Sequence, residues 1–198
     1  MKRDIQGYTE DTWYRYGRSQ SLTRFTDEPK LIWPVLSTEP RYAYDDRNVV
    51  FSGGGNGPYY ALRLLPKTSL SLYYLQAILS HPVIETMVRA RSSAFRGGYK
   101  SHGKQFIKYL PIRIIDFSNT TEATDYQEIV QLVQQLINNS EDQIKATTPQ
   151  QQNVLAKHNR LLQQRINTII ERLYSIDHDD VKTIIGTLLP EKGGILET

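Results

Sequence analysis

Cysteine is absent from the 198 residues, so disulfides, thiol nucleophiles and thiolate metal sites are excluded. The four histidines, His81, His102, His158 and His178, are scattered, with no pair at metal-ligand spacing. That removes a structural zinc as well. Long apolar runs are also missing. Nothing approaches the roughly 18 consecutive apolar residues of a membrane span. The opening Met1-Lys2-Arg3-Asp4-Ile5-Gln6-Gly7-Tyr8 lacks the apolar centre of a signal peptide. The expectation is a soluble, cytoplasmic chain or a piece of one. No internal repeat is visible, and clustered acids for a catalytic metal are lacking. The trio Glu28-Pro29-Lys30 carries a proline that would break the strand presenting it. No Ser/His/Asp arrangement can be read from spacing, so no catalytic residue and no metal site is expected in this chain.

What is present suits a folded domain, or one and a half. Hydrophobic residues make up 39% and charged residues 23%, with a net charge of only +3, enough apolar material for a core and too little net charge for a disordered chain. The charge is unevenly spread. Up to Phe117 there are 17 Lys/Arg against 10 Asp/Glu, a net of +7; beyond it there are 7 against 11, a net of −4. Eleven of the thirteen tyrosines and both tryptophans lie in the basic part, mixed with arginines as in Trp13-Tyr14-Arg15-Tyr16-Gly17-Arg18. A basic working surface joined to a solvated scaffold would suit a polyanionic partner.

Short apolar runs at Leu31–Leu36, Arg41–Tyr44, Asn48–Phe51 and Tyr59–Leu65, broken by prolines and glycines, predict four strands of a curved antiparallel sheet. From Ser69 to Ser92 the period turns helical, with Pro82 either opening a second helix or kinking the first. Tyr109–Ile115 predicts a returning strand. Helices are expected over Asp125–Asn138, Gln150–Ser175 and Val181–Leu189. The stripe Leu155, Leu162, Ile166, Ile169, Ile170 and Leu173 suits an antiparallel helical pair, packed internally or on a partner. Asp177 and Asp180 sit where an N-cap and a first-turn acid belong, so His178-Asp179-Asp180 reads as a helix start rather than a metal cluster. The fold class is α/β of the α+β type: a curved, mainly antiparallel sheet module with packed helices over 1–117, then a helical hairpin region over 118–198.

The richest segment is Arg89–Lys108. It carries six Lys/Arg and no acid, interleaved with Phe95, Tyr99, Phe106 and three glycines. Arginine and lysine neutralise phosphates, glycine lets the backbone approach them, and Gln, Tyr or Arg can bond to base edges. The glycine run Gly53-Gly54-Gly55-Asn56-Gly57 reads as a hairpin turn. A dinucleotide fingerprint would need a helix after it, whereas Pro58-Tyr59-Tyr60-Ala61-Leu62 is strand-like.

The order of these segments resembles the TaqI-like C-terminal specificity domain, the target recognition domain of adenine-specific DNA methyltransferases and fused restriction-modification enzymes. The resemblance rests on Trp13–Gln20, on Lys30-Leu31-Ile32-Trp33-Pro34, on the glycine hairpin, on Tyr74–Pro82 and on Tyr109-Leu110-Pro111-Ile112-Arg113. Ile169–Tyr174 followed by Asp177–Asp180 extends it to nearly the whole chain. It implies a module that grips duplex DNA and reads a short sequence, while a separate N-terminal domain binds S-adenosylmethionine and methylates adenine. The Asn/Asp-Pro-Pro-aromatic motif of that catalytic domain has no match here. This chain is therefore expected to be the C-terminal part of a longer enzyme and to hold no cofactor itself.

Under this reading phosphate contacts come from lysines and arginines, among them Arg15, Arg89, Arg91 and Lys104. Base reading falls to Arg96, Tyr99, Lys100, His102 and Gln105, with Arg18 and Gln20 as second choices. The helical part would orient the module against the catalytic domain or form a homodimer. Two other classes stay open: a stand-alone specificity subunit of a multi-subunit restriction system, and a protein-binding module built on Trp13, Tyr14, Tyr16 and Trp33.

Overall fold

The structure is a computed structural model that describes residues 28–51 and 58–188. Lys30–Pro34 forms β1, Leu36–Ser37 β2, Ala43–Asp45 β3 and Tyr59–Leu62 β4; Leu72–Ser80 is α1, Pro82–Arg91 α2, Lys100–Ser101 β5 and Lys104–Ile107 α3. Two long helices follow, α4 over Thr120–Lys145 and α5 over Pro149–Tyr174, and then α6 over His178–Leu188. The fold is α+β, with mostly helical content around small antiparallel sheets.

β1 is the centre of a three-stranded sheet in the order β3-β1-β4, antiparallel throughout, with Leu31 opposite Tyr44 on one side and Leu62 on the other. The chain leaves this sheet at Val35, and β2 pairs with β5 in a second, two-stranded ribbon that matches Leu36 with Ser101. The apolar face of β1, carrying Leu31 and Trp33, packs into a cluster with α1, where Tyr74, Ala77, Ile78 and Leu79 are nearly inaccessible. α1 in turn lies on α4 and touches α5. Ile129 and Val133 of α4 meet Ile166, Ile169 and Ile170 of α5 in the same cluster, so one continuous core crosses from the sheet into the helical pair.

The helix boundaries follow from capping chemistry. Asn119 Oδ1 accepts the N–H groups of Thr121 and Glu122 at 3.0 and 3.3 Å, starting α4 earlier than its apolar stripe suggests. Thr148 Oγ1 accepts from Gln151 N at 3.2 Å and Pro149 occupies the first turn of α5. Ser175, left-handed at φ 53°, ends it. Pro82 opens a separate helix, with the His81 ring as its cap. Asp177 Oδ1 accepts from Asp179 N and Asp180 N, both at 2.8 Å, so this acidic cluster is a helix start, as its spacing indicates.

Two expected strands are not formed. At Asn48–Phe51 the Asp45 carboxylate takes the N–H groups of Arg47 and Val49, both at 3.0 Å, and Asn48 turns left-handed at φ 54°. A side chain thus claims the donors a ladder would need. Tyr109–Ile115 joins no sheet and starts in a turn, with Leu110 N donating to Ile107 O at 3.2 Å. Tyrosine hydroxyls hold it instead: Tyr74 donates to Arg113 O at 3.0 Å, Tyr174 donates to Pro111 O at 2.7 Å, and Arg113 N donates to Tyr174 Oη at 2.9 Å. Trp13–Gln20 and Gly53–Gly57 lie outside the described residues. Among the described residues, no helix is long and apolar enough to cross a membrane, and no group of three acids or histidines could hold a metal.

Candidate nucleic-acid interface

The basic segment becomes a projecting hairpin because its ends are tied down and its middle is not. At its start, α2 closes with Arg89 and Arg91 in the last turn, where cations complement the exposed carbonyls. Ala94 then bridges to Lys100, and Phe95 N donates to Tyr99 O at 2.9 Å, closing a turn over Arg96-Gly97-Gly98. Gly97 and Gly98 have φ of 82° and 78°, a region glycine occupies without a Cβ penalty. The turn throws Arg96 outwards, flanked by Phe95 at 47% and Tyr99 at 45% exposure.

At its far end the segment is fastened by several bonds. β5 pairs with β2; His102 N donates to Val35 O at 2.7 Å, and Trp33 Nε1 donates to His102 O at 2.8 Å. α3 follows as a single turn that leaves Lys104 and Gln105 exposed. Lys108, also exposed, has its ammonium 4.4 Å from the centre of the Tyr109 ring, a cation–π contact at the surface.

The expected site residues divide accordingly. Arg91 at the end of α2, Arg96 and Tyr99 on the hairpin, and Lys104 and Gln105 in α3 are exposed, and Lys100 is half-buried in β5. Arg89 is directed inwards, donating to Thr38 O at 3.0 Å and lying 3.6 Å from Glu85. His102 needs a correction. It is buried at 1% exposure, its Nε2 2.9 and 3.1 Å from the two Glu85 oxygens and its Nδ1 3.1 Å from Ser37 Oγ. A side chain so enclosed cannot reach a base edge. Arg15, Arg18 and Gln20 lie outside the described residues.

Ser37, His102 and Glu85 stand in the order of a hydrolytic triad, yet all three are buried and Ser37 Oγ donates to Glu39 O at 2.7 Å. Its proton is engaged and no substrate can approach, so the cluster is structural. Beside the hairpin lies a cleft of about 450 Å³ whose lining includes Trp33, Leu36, Arg41, Tyr59 and Tyr99. Sequence reasoning passed over Arg41 and Lys108; Lys108 closes the same acid-free run and Arg41 has no local signal.

No family model matches the chain. It is 27% identical over 176 residues, 89% of its length, to the type II restriction enzyme and methyltransferase RM.Eco57I of Escherichia coli. The matched stretch is 17% of that protein, so the chain spans about a sixth of its relative. What the sequence resembles is a region of a restriction-modification enzyme.

Proposed function

We propose that this chain is the DNA target recognition region of a restriction-modification enzyme, and that residues 1–117 grip duplex DNA while 118–198 orient them. The observation that carries this is the hairpin from Ala94 to Lys100, whose exposed Arg96 stands in a stretch free of Asp and Glu from Thr86 to Ile115. Its cationic and aromatic surface suits phosphates and bases, and the similarity to a restriction enzyme and methyltransferase supports the same reading. Arg91, Lys104 and Lys108 set position on the phosphates. Arg96, Tyr99, Lys100 and Gln105 read base edges, the arginine bidentate to guanine and the glutamine to adenine. Arg15, Arg18 and Gln20 join them on sequence grounds.

Within the parent protein, an N-terminal domain would bind S-adenosylmethionine and methylate adenine, and this region would present the site to it. The test is fluorescence anisotropy of the chain with duplex DNA over a salt series, beside single-stranded DNA and heparin. If about five phosphates are neutralised, the log-log salt slope is about −4 to −5 and duplex is preferred. A slope near zero, or equal binding to heparin, refutes sequence recognition and favours an acidic protein partner.

A further inference from the structure

Val35 is the residue at which the two sheets part. Its N–H donates to Pro58 O at 2.8 Å, while its carbonyl accepts from His102 N at 2.7 Å. The cleft of about 450 Å³ beside the hairpin opens at this parting, lined by Ile32 and Trp33 of β1, Leu36 of β2, Ala43 of β3, Tyr59 of β4 and Tyr99 of the hairpin. Ile32 lies opposite Ala43 on one side and Ala61 on the other, small residues that leave the sheet surface low. Tyr59, opposite Pro34, and Tyr99 both stand exposed beside it. Trp33 is fixed by the bond from Nε1 to His102 O at 2.8 Å and by ring contacts with Tyr42 and Tyr60 at 5.6 and 6.0 Å. The cleft is therefore built on a held backbone, and its volume falls within the roughly 300–1,000 Å³ of small-molecule sites.

Its lining discriminates between guests. Besides rings and aliphatic side chains it holds Ser37, Thr38 and Arg41, and among the described residues none of it is Asp or Glu. Glu39 accepts from Arg41 Nε at 3.1 Å and from Arg41 Nη2 at 2.7 Å, so the acid nearest in sequence is neutralised. A larger cleft of about 620 Å³, between β3 and α4, counts Asp45, Asp46 and Glu141 in its lining. A polyanionic strand is opposed there and admitted here. Tyrosine rings with no carboxylate among them suit a nucleobase, since every base has a π-face to lay on an aromatic side chain. Tyr99 belongs to the hairpin and the cleft alike, three residues from the exposed Arg96. A strand gripped by the hairpin thus lies at the mouth of the cleft.

We propose that this cleft receives one nucleobase lifted out of the stack of the DNA held by the hairpin, with Tyr59 and Tyr99 as its stacking surfaces. Lifting a base costs pairing and stacking, and rings waiting in a formed cleft offset that cost. The base taken here is not the one methylated, because the Asn/Asp-Pro-Pro-aromatic motif has no match in this chain. The inference rests on the proposed DNA recognition for the source of the base; the capacity of the cleft for a base is a property of the chain alone.

Two measurements on the full chain test it. The first is anisotropy with three duplexes of one unrelated sequence: fully paired, with one bulged adenine, and with an abasic residue at the same bulge. Both bulges bend and loosen the duplex, and only one offers a base. The adenine bulge should bind about tenfold more tightly than the abasic bulge, within the range of base stacking on one aromatic side chain. Tyr59→Ala should bring that ratio to about one and Tyr59→Phe should keep it, while the paired duplex is bound equally by all three proteins. A wild-type ratio near one, or a ratio that survives Tyr59→Ala, overturns the proposal. The second is NMR with free deoxyadenosine, which should shift the ring signals of Tyr59 and Tyr99. Shifts without a bulge preference assign the cleft to free nucleosides and overturn the strand as source. Neither shifts nor preference leaves the cleft to a protein partner and overturns the proposal outright. If no duplex is bound at all, DNA recognition fails, and the nucleoside shifts by themselves decide whether the cleft takes a base.

Discussion

Lys30 and Asp45 face one another across β1 and β3, ammonium to carboxylate at 2.5 Å, with side chains only 3% and 7% exposed. Asp45 also receives the N–H groups of Arg47 and Val49. One carboxylate therefore neutralises a buried cation and shapes the turn that ends β3. Burial pushes its carboxyl up, but Lys30 and the two backbone donors more than offset this and hold it below the ordinary range.

Removing one partner leaves the other buried without compensation. Lys30→Met and Asp45→Asn are each expected to cost about 3 kcal/mol, at the lower end for a broken buried pair because the edge of the sheet is near solvent. Urea denaturation at pH 7 checks this; a loss below about 1 kcal/mol would show that the pair is solvated. Asp45 has a lowered folded pKa, so its contribution is complete above the unfolded value of about 3.9 and is lost as pH falls through the folded value. Wild type should therefore lose stability in that acid window, and Asp45→Asn should lose less.

His81 is a buried histidine at the junction of α1 and α2. Burial pushes its pKa down to about 4, and its Nδ1 accepts from Val83 N at 3.3 Å to cap α2. The Glu171 carboxylate, 3.8 Å from Nε2, is too far for a direct hydrogen bond. Between about pH 6.5 and pH 4 the unfolded chain takes up a proton that the folded chain refuses, so stability falls through that window, by about 2–3 kcal/mol. His81→Asn keeps a cap acceptor and removes the titration. Its stability should be flat where wild type declines; equal slopes would refute the assignment.

The hairpin turn separates shape from charge. Gly98 has φ 78° and open space around a Cβ, so strain alone opposes substitution. Gly98→Ala should cost about 1 kcal/mol in local stability, read by amide exchange of Phe95, while Gly98→Asn should cost less because asparagine tolerates the left-handed region. Arg91→Ala with Lys104→Ala should instead lower the salt slope of DNA binding by about 2 and leave the melting temperature unchanged. A matching fall in melting temperature would mean that these cations serve the fold.

The continuous core makes a claim about cooperativity. Ile166 is fully buried among α4 and α5, in the same cluster as Leu31 and Trp33 of the sheet. Ile166→Ala should cost about 2–4 kcal/mol and lower a single calorimetric transition shared by both halves. Two separate transitions, with only one shifted, would show that residues 118–198 fold as an independent unit.

Helix positions were largely legible. Proline at Pro82, the apolar period of the long helix and the acceptor at Asp177 place α2, α5 and α6 to within a few residues, whereas α4 runs over Thr120–Lys145 instead of the expected Asp125–Asn138 because its Asn119 cap reads as connector. The strands were less so. Asn48-Val49-Val50-Phe51 has the residues of a strand but no ladder, because the Asp45 carboxylate captures the N–H of Val49 first. Tyr109–Ile115 has the residues of a strand, yet its backbone is met by Tyr74 and Tyr174 rather than by a neighbouring strand. Such partners are remote in sequence and leave no periodic trace.

From its sequence alone the protein has its helices, its lack of thiol chemistry and its acid-free basic run, since capping, periodicity and composition need no knowledge of distant contacts. The tertiary structure decided which members of that run face outwards. Arg89 and His102 share it with Arg91 and Arg96, but the Thr38 carbonyl and the Glu85 carboxylate draw the first two inside. The other two remain exposed at the surface. Burial of a charge depends on which opposite charges and carbonyls the fold brings within hydrogen-bond reach, and for the Arg89–Thr38 pair that partner is 51 residues away in the chain.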